Sequence, residues 1–350
     1  MKRDLEALMR PNIRALSPYS TARDEFKGEA RIFVDANESA YNNGYNRYPD
    51  PGQKKLKKVV AELEGVDVLR LFLGNGSDEA IDLLFRIFCT PGVDNAVTVQ
   101  PTYGMYGVAA DINDIAVRTV PLEKDFSLDV DRLLATADSQ TKLILLCSPN
   151  NPTGNSIPLA DISCIADSFA GIVVVDEAYI HYSPYESAVS LMDDYNNIVV
   201  LRTLSKGRAM AGLRVGMAIA DPVVVRTMSN VKYPYNISQA TIDKALELLA
   251  VADSASQIET TVAERSRLAD ELAKLPIIKE IFPSDANFLL VRVPDPDGLY
   301  DYLAGLGRIV RNRNSVPGCR GCLRITVGLP EENDSIIKAI SEYEKETAHN

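Results

Sequence analysis

Between residues 69 and 220, short uninterrupted apolar runs rich in β-branched residues alternate with amphipathic stretches. The runs occupy 69–73, 96–99, 142–147, 172–175, 198–201 and 215–219. A strand with one wet face alternates apolar with polar residues, whereas a continuous apolar run must be covered on both faces. The pattern therefore predicts an α/β architecture, a mainly parallel sheet between layers of helices. Helical spacing or helix-start signals fill 78–88, 158–169 and 222–228. A helix over 53–63, with Leu56, Val59, Val60 and Leu63 on one face and Gly65 after it, opens the region. In such sheets ligands sit beyond the carboxyl ends of the strands. Asn151, Asp176 and Lys206 each follow one of the runs. All three fall on one rim.

The texture changes after Ser238. A helical region over 239–275, broken near Ala252-Asp253, ends before Pro276. Strand-like 277–282 and 287–293, a helix around 299–306, strands at 308–311 and 322–327 and a last helix from Pro330 follow. This reads as a smaller α+β domain. The first ~45 residues, rich in Tyr, Asn and Pro, read as an arm rather than a core. A length of 350 residues suits two domains. The expected division is an arm over 1–45 joining the small domain, a large domain over 46–250 and a small domain over 251–350.

A net charge of −11 with no run of Lys and Arg argues against a nucleic-acid surface. The start, Met1-Lys2-Arg3-Asp4-Leu5-Glu6, lacks the apolar segment of a secretory signal, and no stretch is long and apolar enough for a membrane span. The expectation is a cytoplasmic protein. Five cysteines do not make a disulfide framework. Cys319 and Cys322 form one Cys-x-x-Cys, but the only histidines are His181 and His349, so the pair reads as coincidence and no metal is expected.

Three pieces carry the chemistry: Ser148-Pro149-Asn150-Asn151-Pro152-Thr153-Gly154, then Val173-Val174-Val175-Asp176-Glu177-Ala178-Tyr179, then Thr203-Leu204-Ser205-Lys206 with Arg214 eight residues on. Together they supply what pyridoxal 5′-phosphate requires. Lys206 offers an amine for the aldehyde and a base for the substrate's α-proton. Asp176, after a buried-looking run, needs a cationic partner and would pair with the protonated ring nitrogen. Asn151 and Tyr179 would donate to the phenolic oxygen, although Asn-Pro-Thr-Gly alone is also a common turn. Gly76, Ser77 and Asp78, in a strand–turn–helix sequence, offer backbone N–H groups and a helix dipole for a phosphate. By itself that stretch reads first as a plain strand-to-helix connection capped by Ser77 or Asp78. Thr203, Ser205 and Arg214 would complete the cage, with arginine suited to a two-pronged phosphate contact. Tyr103, in Pro101-Thr102-Tyr103, would stack on the ring.

The order and spacing of these pieces resemble the fold-type I pyridoxal-phosphate aminotransferases, and further stretches resemble the histidinol-phosphate aminotransferases among them. The resemblance spans about Arg10 to the last helix. It implies a fold-type I transferase with a mainly parallel seven-stranded sheet flanked by helices, plus a smaller α+β domain. It also implies a homodimer with shared sites, in which Tyr48 of Arg47-Tyr48-Pro49-Asp50-Pro51 reaches the neighbouring subunit's cofactor phosphate. Arg311, in Ile309-Val310-Arg311, and Arg324, thirteen residues on, match the anion-binding pair of this subgroup. The pair would hold the phosphate of histidinol phosphate and then a carboxylate of glutamate. Cys322, Arg324 and Thr326 share one strand face and Leu323, Ile325 and Val327 the other. Tyr19, in Arg14-Ala15-Leu16-Ser17-Pro18-Tyr19, and Asn37, in Phe33-Val34-Asp35-Ala36-Asn37-Glu38, match the subgroup's arm and would lie near substrate.

The implied reaction moves an amino group between L-histidinol phosphate and 2-oxoglutarate, giving imidazole-acetol phosphate and glutamate, as used in histidine synthesis. One departure is Gly207-Arg208-Ala209-Met210, where the family carries small and aromatic residues after the lysine. The same machinery would equally suit an aromatic or broad-range aminotransferase or a threonine-phosphate decarboxylase. A cofactor-sensing regulator would need a DNA-binding head, and the short, acidic chain offers no helix-turn-helix pattern for one.

Overall fold

The computed structural model describes residues 2–26, 28 and 31–347, so His349 lies outside the described residues. Seven strands form the larger sheet: β1 Leu71–Asn75, β2 Asn95–Gln100, β3 Ala116–Pro121, β4 Thr141–Cys147, β5 Ile172–Asp176, β6 Ile198–Thr203 and β7 Val215–Ile219. Their order is β1-β7-β6-β5-β4-β2-β3. β7 runs antiparallel to both neighbours, and every other pairing is parallel.

The six apolar runs are six of these strands. Each feeds two cores at once: Val173 and Val175 point into one layer and Val174 into the other, all three fully buried. Burying one such side chain contributes about 1.5–3 kcal/mol, so each strand anchors both helix layers. β3 was not among the runs, and the structure shows why. It is an edge strand, and Arg118 and Thr119 are exposed. Helices Met105–Ile112 and Val130–Thr136 also lie where no helix was expected.

The smaller sheet is antiparallel in the order β10-β11-β9-β8, with β8 Glu280–Ile281, β9 Phe288–Arg292, β10 Arg311–Asn312 and β11 Cys322–Thr326. The strands expected at 277–282 and 308–311 are therefore shorter or shifted. One face packs Leu323, Ile325 and Val327 against Leu268 and Leu272 of helix Ser254–Leu272 and Ala339 and Ile340 of helix Pro330–Thr347. Cys319 and Cys322 fill an apolar cluster with Phe126, Phe282 and Leu290. The long helical region is two helices, Gln239–Val251 and Ser254–Leu272, parted at the expected break.

The beginning of the expected arm is anchored on the large sheet's layer and not on the smaller sheet. Leu5 and Met9 are buried there beside Phe85 and Met228. Further on, the arm is held by charge: Arg23 pairs with Asp35 and Glu38, and Arg47 with Glu38. Among the described residues no helix is long and apolar enough to cross a membrane.

Candidate active site

After β1, Gly76 turns the chain at φ 77° into helix Ser77–Phe88. The first N–H groups of that helix have no partner inside it, so they are open to an anion. Gly76 N–H donates to Arg214 O at 2.8 Å, tying this turn to the residue that precedes β7. β7 lies directly against the turn. A Cβ on Gly216 would stand 2.1 Å from Ser77 N, so only glycine permits the approach. Arg214 Nη2 lies 3.7 Å from Asp78 Oδ2, and Tyr103 OH donates to Asp78 Oδ1 at 3.1 Å. Thr203 hydroxyl donates to Ser205 Oγ at 2.8 Å, and Ser205 N–H donates to Thr203 Oγ1 at 3.0 Å.

The β-strand ends bring the rest. One cavity of about 130 Å³ is lined by Ser77, Asp78, Tyr103, Asn151, Asp176, Tyr179, Thr203, Ser205, Lys206 and Arg214. Asp176, the last residue of β5, is fully enclosed. It accepts from Tyr106 OH at 3.0 Å and from Ala178 N–H at 3.1 Å. Burial pushes its carboxyl up to about 6, with Asp78 and Glu177 adding to the rise. Lys206, half-buried, has its Nζ 5.7 Å from the centroid of the Tyr179 ring. Burial lowers the pKa of its ammonium, and Arg324 and Arg214 lower it further, which favours the free amine. Asn151 Nδ2 reaches Tyr179 OH at 3.5 Å, and Asn151 Oδ1 accepts from Arg324 Nη1.

A second cavity, about 750 Å³, shares Tyr103, Asn151, Tyr179 and Lys206 with the first and opens toward β10 and β11. Arg311 and Arg324 are cross-strand partners and both line it. The Arg324 guanidinium lies 5.0 Å over the Phe288 ring, and burial lowers its pKa. Its charge is thus held partly out of water.

Three residues assigned to the site, Tyr19 and Asn37 of the arm and Tyr48 just after it, are not brought to either cavity. Tyr19 is 73% exposed and Asn37 is exposed, and neither lines a cavity that contains Lys206. Tyr48 stacks on Tyr235, ring centroids 4.4 Å apart, and lines a separate pocket beside the arm. The ion pairs around Glu38 hold this segment to itself rather than over its own chain's Lys206. Two residues of the site escaped the sequence reading. Tyr106 stands three residues after Tyr103 and meets Asp176. Arg313, two residues after Arg311, lines the larger cavity. Strand alternation carries the signal for Arg313, and nothing in the sequence marks Tyr106.

Pyridoxal 5′-phosphate fits this set. Asp176 is a buried carboxylate with a raised pKa and, among the described residues, no ion-pair partner, which matches a protonated pyridine nitrogen. At the other end, a Cβ on Gly76 would stand 2.6 Å from Arg214 Nη2, so only glycine lets the guanidinium lie against the turn, beside the open N–H groups of the helix start where a phosphate would sit. A mainly parallel seven-stranded sheet with this lysine, acid and guanidinium on its carboxyl rim defines a fold-type I pyridoxal-phosphate enzyme.

The chain belongs to the aminotransferase class I and II family, whose model matches residues 25–340. It is 51% identical over 339 residues to the histidinol-phosphate aminotransferase of Parabacteroides distasonis, across 97% of this chain and 98% of that one. It is 48% identical over 342 residues to the same-named protein of Bacteroides fragilis, across 97% and 99%. Among solved structures it resembles histidinol-phosphate aminotransferase from Sinorhizobium meliloti in complex with pyridoxal-5′-phosphate. There the TM-score is 0.79 at 23% identity, over 86% of this chain and 84% of that one. The fold is also that of L-threonine-O-3-phosphate decarboxylase from Porphyromonas gingivalis, with a TM-score of 0.72 at 22% identity over 85% and 91%.

Proposed function

We propose that this protein is a histidinol-phosphate aminotransferase, moving an amino group reversibly between L-histidinol phosphate and 2-oxoglutarate for histidine biosynthesis. The observation that carries the reading is the meeting of two cavities at Lys206, one holding Asp176 and Arg214 and the other Arg311 and Arg324. The near-full-length similarity to proteins of that name supports it. The reading includes a homodimer in the cytoplasm, with Tyr48 serving the partner's cofactor phosphate.

When bound, pyridoxal phosphate supplies an electron-poor ring that accepts the electron pair released when the substrate's Cα–H bond breaks. Asp176 would stay ionised beside the protonated ring nitrogen, and the hydrogen bonds from Tyr106 and Ala178 fix its orientation. Asn151 and Tyr179 donate toward the phenolic oxygen. Ser77, Asp78, Thr203, Ser205 and Arg214 would hold the phosphate, the first two through backbone N–H groups at the helix start, with Gly76 shaping the turn that presents them. Tyr103, tethered through Asp78, covers one face. Lys206, with its lowered ammonium pKa, would offer Nζ to the aldehyde and, when free of it, would take a proton from the substrate's α-carbon at the same atom. Arg311 and Arg324 hold the substrate's anionic end, phosphate in one half-reaction and carboxylate in the other. The burial of Asp176, Tyr179 and Lys206 strengthens these contacts.

Single-turnover spectra test the reading. Holoenzyme mixed with glutamate, L-histidinol phosphate or threonine phosphate should convert its cofactor with the first two and not the third. Conversion and decarboxylation with threonine phosphate would replace the proposal by the decarboxylase reading. Lys206→Ala should lower turnover by roughly a thousandfold or more, since both the covalent anchor and the base are removed.

A further inference from the structure

The larger cavity holds one more cation than an anion-binding pair requires. Arg313 follows Arg311 by two residues, so both project from the same face of the β10 segment. Its N–H donates to Cys322 O at 3.0 Å, which keeps it in register with β11, and its side chain lines the cavity with those of Arg311 and Arg324. Arg313 Nε is buried without a hydrogen-bond partner, and Arg324 Nε is the same. Among the described residues, no carboxylate stands within ion-pair distance of any of the three. The neighbours that act on Arg313 are chiefly Arg324 and Arg311 themselves. Like charges facing one another across strands destabilise a sheet, and a buried donor without a partner adds to the cost. An anion that completes such a cluster stabilises it.

We infer that Arg313 is a third direct ligand of the substrate's phosphate group and sets the preference for a phosphorylated amine over its unphosphorylated counterpart. This rests on the reading of the substrate as a phosphate ester. A phosphate monoester carries close to two negative charges and three acceptor oxygens, so it uses three guanidinium groups fully. A carboxylate carries one charge and two oxygens, and two arginines satisfy it. The third arginine therefore acts mainly on the phosphate-bearing substrate.

The test compares L-histidinol phosphate with L-histidinol as amino donors to the holoenzyme, in wild type, Arg313→Gln and Arg313→Lys. The wild type should favour the phosphorylated donor. Arg313→Gln should shrink that preference by about tenfold or more, through KM rather than kcat, as expected for losing one charge-assisted contact. Arg313→Lys keeps a point charge without the planar fork and should recover part of it. An equal loss with both donors, or an unchanged ratio, would overturn the role of Arg313. Should Arg313→Gln not fold, a wild-type ratio in Arg313→Lys overturns it instead. A wild type that does not prefer the phosphorylated donor would overturn the substrate reading itself, and this inference with it.

Discussion

Asp176 shows how a single side chain can be costly in one state of a protein and required in another. Its carboxyl, ordinarily near 3.8, is raised to about 6 by burial. A raised acid favours folding below its unfolded pKa and withdraws that support as the pH climbs through the folded value. For the cofactor-free protein this predicts a penalty approaching roughly 3 kcal/mol by pH 8, and about half of that at pH 5. Asp176→Asn should therefore melt higher than wild type at pH 8 without cofactor, with the gap shrinking at pH 5. Adding pyridoxal phosphate should invert the order, because the variant lacks the anion that the ring nitrogen needs. Calorimetric melts at both pH values check this, and an Asn variant that is the less stable cofactor-free would refute it. Lys206, Asp176 and Asn151 were legible because each follows an apolar run, and strand ends carry ligands in such sheets. Tyr106 was not, since a tyrosine on a helix is most often packing, and its bond to Asp176 exists only once the helix docks on the sheet.

At the level of elements, the rim is kept in shape by a buried ion cluster that no motif announced. Arg202 on β6 donates to Glu177, just past β5, at 3.0 Å and to Glu64, at the end of helix Lys54–Glu64, at 2.6 Å. Glu177 also accepts from Ser187 hydroxyl and Ala188 N–H, both at 2.7 Å. One guanidinium thus joins the segment carrying Asp176 and Tyr179 to a helix far away in sequence. Removing it would leave Glu177 enclosed without a cation and Glu64 with only His181 Nε2, 3.8 Å away. Arg202→Met should cost about 3–5 kcal/mol in urea unfolding, where an exposed arginine would cost almost nothing. Sequence periodicity gave the strands that are buried on both faces and failed at β3, whose exposed Arg118 and Thr119 erase the signal. It failed again for helix Val130–Thr136, only seven residues long and with Leu133 its sole buried member, too short for a helical period to stand out.

For the whole molecule, the arm poses the question that one chain cannot answer by itself. Ile32 and Val34 are 80% and 90% exposed, and Tyr41, Tyr45 and Tyr48 are exposed near them. Apolar surface in such density calls for a cover. A second copy related by a twofold axis would supply it and would bring each Tyr48 toward the other subunit's site, as the family resemblance implies. Mixed dimers separate this from a role for Tyr48 in its own subunit. Lys206→Ala and Tyr48→Ala are each expected to be impaired alone. In a heterodimer, the subunit that retains Lys206 would receive an intact Tyr48 from its partner, while the other site would lack both. After random exchange of subunits, half of the dimers are mixed and each holds one complete site. Activity should then rise to about a quarter of wild type, with sedimentation at twice the 38.3 kDa chain mass. If Tyr48 acted within its own chain, neither site of the heterodimer would be complete. Activity would then stay at the mean of the two parents.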